Sequence, residues 1–260
     1  MLTRSCVFVG PTRLQTIPAG VHIFAPAVLG SIFRAVQEGY KLICLIDGFF
    51  GNTPTVWHKE ILFALTQGVS VCGSSSIGAL RAAELHSLGM IGFGWVYRAF
   101  RRGTLVDDDE VCVIHAVAEF DFAPLTEAMV NIRYSLRSMR RRRQITRESE
   151  RRIASALKAR RFSARTNDAI GEAFQLEFGS DGSAIFELYR ANKVDIKAID
   201  AACMLGAIDH LTRRATDSSW ELPITNYWIQ QFLLEGDDIP PLDGWYPRIL
   251  MNDVAARPDL

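Results

Sequence analysis

The stretch Val69-Ser-Val-Cys-Gly-Ser-Ser-Ser-Ile-Gly-Ala-Leu80 decides the fold. Val69–Cys72 is a short β-type apolar run, Gly73 and three serines form a small-residue turn, and Ser76–Leu88 reads as the helix that follows. The same unit recurs on its N-terminal side. Cys6–Gly10 reads as a strand ending at Pro11, and Val21–Ala25 as a second. Ala27–Glu38 carries Val28, Leu29, Ile32, Phe33 and Val36 at the spacing of a packed helix face and stops at Gly39. Lys41–Ile46 is a strand halting at Asp47-Gly48; Thr55 can cap a helix over Val56–Thr66. Strand and helix in such alternation predict an α/β fold, a parallel sheet with helices on both faces in the N-terminal half. Ligands of such sheets sit at strand carboxyl ends, which singles out Gly10–Arg13, Asp47–Asn52 and Gly73–Gly78.

After about residue 125 helical periodicity takes over, through Glu127–Arg137, Glu148–Arg161 and Lys193–Arg214, so the C-terminal part is expected to be mostly helical. We divide the chain into a core over 1–135 and a helical extension over 136–260 packed on it. Val111–Ile114 looks like one more strand, and the Trp- and Pro-rich tail Trp220–Leu260 suggests no role. With 260 residues, 48% hydrophobic and 22% charged, the chain can bury a sizeable core, which excludes disorder as its main state. Apolar runs such as Leu42–Ile46 fall far short of the roughly 20 residues of a membrane span. Met1–Gly10 lacks the pattern of a signal peptide, and the expected location is the cytoplasm. The five cysteines, Cys6, Cys44, Cys72, Cys112 and Cys203, are scattered among apolar neighbours without a C-x-x-C pair; they read as buried reduced thiols, and no metal is indicated.

Formal net charge is zero but unevenly spread: residues 137–165 hold 12 of the 29 Lys/Arg and 2 of the 29 Asp/Glu. The pattern is helical with a solvated arginine face. Without interleaved aromatics or a reading motif, nucleic-acid binding is disfavoured; an acidic protein partner, or balance against the chain's own acidic segments, fits better.

The serine turn resembles a nucleophile elbow. Ser74-x-Ser76-x-Gly78 differs from G-x-S-x-G by one residue, making Ser76 the candidate nucleophile, with the helix N-terminus offering N–H donors to an oxyanion. The same turn can equally be a helix cap or an anion nest. Candidate proton handlers are His58 and Lys59, at the head of the preceding helix, and Asp47 at a strand end. Arg81 and Glu84 lie within one turn of each other, which an intrahelical pair explains. Asp107-Asp-Asp-Glu110 reads as a solvated acidic loop or as a carboxylate source that orients His58 or Lys59 or pairs with Arg81.

Taken in order, Ile46-Asp-Gly-Phe-Phe50, Val56-Trp-His-Lys-Glu-Ile61, Gly73-Ser-Ser-Ser-Ile-Gly-Ala-Leu-Arg-Ala-Ala-Glu-Leu85, Asp107-Asp-Asp-Glu-Val111 and Met129-Val-Asn-Ile-Arg133 resemble the TfuA-like family. With Val7-Phe-Val-Gly-Pro11 the resemblance spans about residues 6–135. Thr12, where the family tends to have serine, and Ile77, in place of a usual methionine, depart from it. The resemblance implies a companion of YcaO enzymes in peptide backbone thioamidation, releasing sulfide from a thiocarboxylated ThiS-like carrier protein. On that reading Ser76 attacks the thiocarboxylate carbonyl, and His58 or Lys59 moves protons. Gly10, Pro11, Ser74, Ser75, Ile77, Gly78, Arg81, Glu84 and Asp109 would surround substrate and oxyanion. No cofactor is implied, and no ATP site is present in the sequence. The alternative is a non-catalytic adaptor that docks YcaO or the carrier. Oligomeric state stays open, a homo-oligomer included.

Overall fold

The computed structural model describes residues 4–51, 53–211 and Leu222. The tail, from Thr212 on, lies outside the described residues except Leu222, as does the end of the Lys193–Arg214 helix expectation. Five parallel strands, β1 (Ser5–Phe8), β2 (Val21–Phe24), β3 (Leu42–Leu45), β4 (Ser70–Gly73) and β5 (Ile91–Gly92), form one sheet in the order β2-β1-β3-β4-β5. Three helices cross between them: α1 (Ser31–Gln37) after β2, α2 (His58–Thr66) after β3 and α3 (Ile77–Leu85) after β4.

The strands sort their side chains by alternation. Cys6, Phe8, Ile43, Leu45 and Val71 face the core under α1, α2 and α3, while Val7, Leu42, Cys44, Ile46 and Cys72 face the opposite side. Right-handed crossovers put a helix on one face when the chain moves one way along the sheet and on the other when it reverses. Here β1 to β2, the single step against the general direction, runs through residues 9–20 without a helix. The face it leaves bare is covered from the far end of the chain by α9 (Ile196–Leu205) and α10 (Ile208–Leu211), through Ala201, Met204, Leu205, Ile208 and Leu211. Helices therefore lie on both faces, as expected, but one cover comes from outside the N-terminal half.

Between these parts stand α4 (Gly94–Arg101), α5 (Met129–Arg141), α6 (Arg147–Lys158), α7 (Asn167–Phe178) and α8 (Gly182–Ala191). The last four share their own core, built on Leu136, Met139, Leu157, Phe174 and Tyr189. The expected strand at Val111–Ile114 does not form: Glu110 ends a one-turn 3-10 helix, and the apolar run after it packs as irregular chain, with only an isolated bridge at His115–Pro124. The thiols Cys6, Cys44, Cys72 and Cys112 are buried, but Cys203 is exposed, because it falls on the outer face of α9.

Glu60, in the first turn of α2, is fully buried and accepts from Trp57 N at 3.0 Å and Ile32 N at 3.2 Å, tying the helix to the start of α1. Burial pushes its carboxyl up to about 7, against the downward pull of these backbone donors. The unfolded group titrates near 4.5, so between there and about 7 the folded state holds a proton that the unfolded chain has lost. Stability is expected to fall as pH rises through that window, by about 3 kcal/mol in all. Urea midpoints across the window measure it; Glu60→Gln should flatten the slope.

Candidate functional site

The strand order reverses direction between β1 and β3, and there the loops after these strands part, the usual binding crevice of an open parallel sheet. Asp47, one residue beyond Ile46, is 2% exposed and holds the crevice in shape. Its carboxylate accepts from Gly10 N at 3.0 Å and Thr12 N at 2.8 Å, and from Thr12 Oγ1 at 2.8 Å, pinning the β1 loop around Pro11. Thr12, read from the sequence as a mild departure, therefore supplies two of the three donors.

The serine turn closes the other side. Ser75 sits at φ 68°, a left-handed conformation rare outside glycine and the kind of strain expected in an elbow. Its hydroxyl is fully buried, donates to Lys197 O at 2.7 Å and lies 3.1 Å from Ser74 Oγ. Ser76 comes next, 8% exposed, and its hydroxyl makes no capping bond to α3; Val111 O lies 3.5 Å away, at the outer limit of a hydrogen bond. Gly78 N is bonded to Ile46 O at 3.2 Å and Ala79 N to Ser76 O at 3.0 Å, whereas Ile77 N–H has no partner among the described residues. One free donor directly after the cavity-lining serine is the arrangement of an oxyanion site.

Ser76, Asp47, Pro11, Ile77 and Lys197 line one cavity of about 40 Å³. Lys197, in the first turn of α9, is the residue that sequence reading missed. It is 4% exposed, donates from Nζ to Val111 O at 3.2 Å and stands 3.7 Å from Asp47 Oδ1. Lys197 and Ser76 thus converge on one carbonyl oxygen. Asn131, from the Met129–Arg133 string, positions the turn: its Oδ1 accepts from Lys197 N at 3.3 Å, while its amide donates to Glu127 and Asp195. His115 and Cys112 also line the cavity. The His115 ring packs edge-on against Phe49 and Phe122, and burial, followed by the Asp108 charge, pushes the Cys112 thiol up to about 12, so it stays protonated near neutral pH.

The other candidates are placed elsewhere. His58 Nε2 meets Glu84 Oε2 at 2.8 Å, and Arg81 Nη1 meets the same oxygen at 2.7 Å while its Nε donates to Val56 O. Burial would raise the Glu84 carboxyl, but His58 and Arg81 outweigh it and hold it below the usual range. This cluster ties α2 to α3, with Lys59 beside it on α2; among the described contacts none joins His58 to Ser76. Asp109 is bound by Lys158 and Arg165, which outweigh its burial and keep its carboxyl low. Glu110, nearly buried, takes a two-bonded grip from Arg133 at 2.9 Å each and an ion pair from Lys158 at 3.2 Å. Asp109 and Glu110 thus form a joint to the helical region, whereas Asp107 and Asp108 are exposed, as a solvated loop would leave them, and Asp108 borders the cavity.

Fold and site together define a parallel α/β protein with a small-residue serine turn and a buried lysine at the sheet's switch point. Residues 47–166 match the model of the TfuA-like protein family. The matched range begins at Asp47, leaving out the Val7–Pro11 string, and runs past 135 through α6, further than the motifs carried the resemblance. That family acts in YcaO-associated thioamide biosynthesis. No curated protein matches the chain. Among the described residues no helix is long and apolar enough to cross a membrane.

Proposed function

We propose that this chain hydrolyses the C-terminal thiocarboxylate of a ThiS-like carrier protein and hands sulfide to a YcaO partner. The observation that supports it most is the convergence of Ser76 Oγ and Lys197 Nζ on Val111 O, in a cavity large enough for a terminal carbonyl group and little more. A thiocarboxylate is an anion and resists attack by a nucleophile unless a cation meets it. Lys197 fills that need. Ser76 Oγ bonds to the carbonyl carbon, the oxyanion is received by Ile77 N–H, and the carbon–sulfur bond breaks. The ammonium of Lys197 protonates the departing sulfur and recovers the proton of Ser76, so that an ester and hydrosulfide result. Water then cleaves the ester, returning Ser76 and a carrier carboxylate. Asp47 keeps Lys197 turned toward the cavity, and its grip on Gly10 N leaves Ile77 as the oxyanion donor.

Lys197→Met preserves length and apolar stem while removing the charge. It is expected to lower sulfide release from a thiocarboxylated carrier by about 100-fold or more, with carrier affinity nearly unchanged. A folded Lys197→Met chain that releases sulfide at the wild-type rate contradicts the assignment.

A further inference from the structure

A second concavity, of about 800 Å³, lies between α5, α6 and the end of α4. Two arginine rows face it at helical spacing: Arg133, Arg137 and Arg140 from α5, and Arg147 and Arg151 from α6. Only Glu148 and Glu150 among the lining residues oppose them. Half of the basic stretch is neutralised internally, since Arg140 pairs with Glu150, Arg151 and Arg152 with Glu148, and Lys158, Arg160 and Arg165 with other acids. Arg137 and Arg147 are exposed and have no ion-pair partner among the described residues. Arg133 is paired with Glu110 and Arg140 and Arg151 with the lining glutamates, so the uncompensated positive charge of the groove is that of Arg137 and Arg147, which an incoming anionic chain would meet.

We infer that this groove docks an extended acidic segment of a partner protein. Its size falls within the roughly 300–1,000 Å³ of ligand clefts, suited to a short peptide stretch. One feature favours an acidic peptide over a nucleic acid. Trp95, the aromatic of the lining, has its ring held edge-on by Tyr134 at 5.4 Å rather than presented as a stacking platform. The groove is separate from the Ser76 cavity, and docking there stands whether or not Ser76 performs hydrolysis.

The test is fluorescence anisotropy of labelled octaglutamate with the full chain, beside a neutral Gly-Ser octapeptide and an oligothymidylate octamer. Octaglutamate is expected to bind, to weaken with added salt and to lose about tenfold or more in affinity in Arg137→Glu/Arg147→Glu. Arg141→Glu/Arg161→Glu reverses the same charge at exposed arginines outside the groove and is expected to leave binding within about twofold. If the first pair fails to fold, Arg137→Gln replaces it, with a smaller loss in the same direction. Equal losses from both pairs, unchanged binding in the groove variant, or tighter binding of the oligonucleotide through the same arginines would each overturn the proposal.

Discussion

Replacing Gly78 by alanine is expected to leave no folded protein. A methyl group there would lie 1.8 Å from Leu45 O and 2.6 Å from Leu45 C. These are main-chain atoms of β3, which is held between β1 and β4 and has no room to retreat. The first turn of α3 rests directly on that strand, with Gly78 N–H donating to Ile46 O. Gly73 completes the approach, because its own Cβ would stand 2.1 Å from Gly78 O. Separating helix and strand by even an ångström would break this bond and open the core on both sides of the turn. The cost should exceed about 4 kcal/mol, beyond what a domain of ordinary stability survives. Circular dichroism and thermal melting give the answer, and a Gly78→Ala chain melting near the wild type would refute this account of the turn.

Ser76→Ala is expected to have the opposite profile, a normal melt and sulfide release reduced by at least about 10⁴-fold. Among the described residues the hydrogen bond lost is the 3.5 Å contact with Val111 O, so little stability depends on the hydroxyl. Ser75→Ala separates the two serines. Its hydroxyl holds Lys197 O at 2.7 Å in the buried joint between turn and α9, so truncation should cost about 1–3 kcal/mol of stability while sulfide release persists. Positive φ alone would nominate Ser75 as the elbow nucleophile; its buried, donating hydroxyl is the reason to assign the chemistry to Ser76.

Much of the sheet was legible because its pattern is local. Leu42 to Ile46 is apolar throughout, as a strand covered on both faces must be, and Gly or Asp marks the carboxyl ends of β1, β3 and β4, with Pro26 after β2. The crevice loops followed from that. The two-residue β5 carries no periodicity to read, and Val111–Ile114, apolar enough for a strand, joins no strand of the sheet: Val111, Cys112 and Val113 line the cavity, and Ile114 O accepts from Leu125 N. Lys197 was invisible for another reason: a buried lysine in Val194-Asp-Ile-Lys197 looks like any helix-surface cation until the fold brings it 122 positions back to Ser75. His58 and Lys59 stood out because polar residues cluster there in sequence, but their cluster joins two helices. Proximity along the chain suggested His58 or Lys59 as the partner of Ser76; in space it is Lys197 that shares Val111 O with Ser76.

The measurement that bears most directly on the central claim is sulfide release and carrier mass when the purified wild-type chain meets a thiocarboxylated ThiS-like carrier, without and with a YcaO enzyme. The account predicts that the chain alone converts thiocarboxylate to carboxylate with one sulfide per carrier. A folded chain that binds YcaO yet leaves the thiocarboxylate intact in both mixtures would contradict it and make the protein an adaptor.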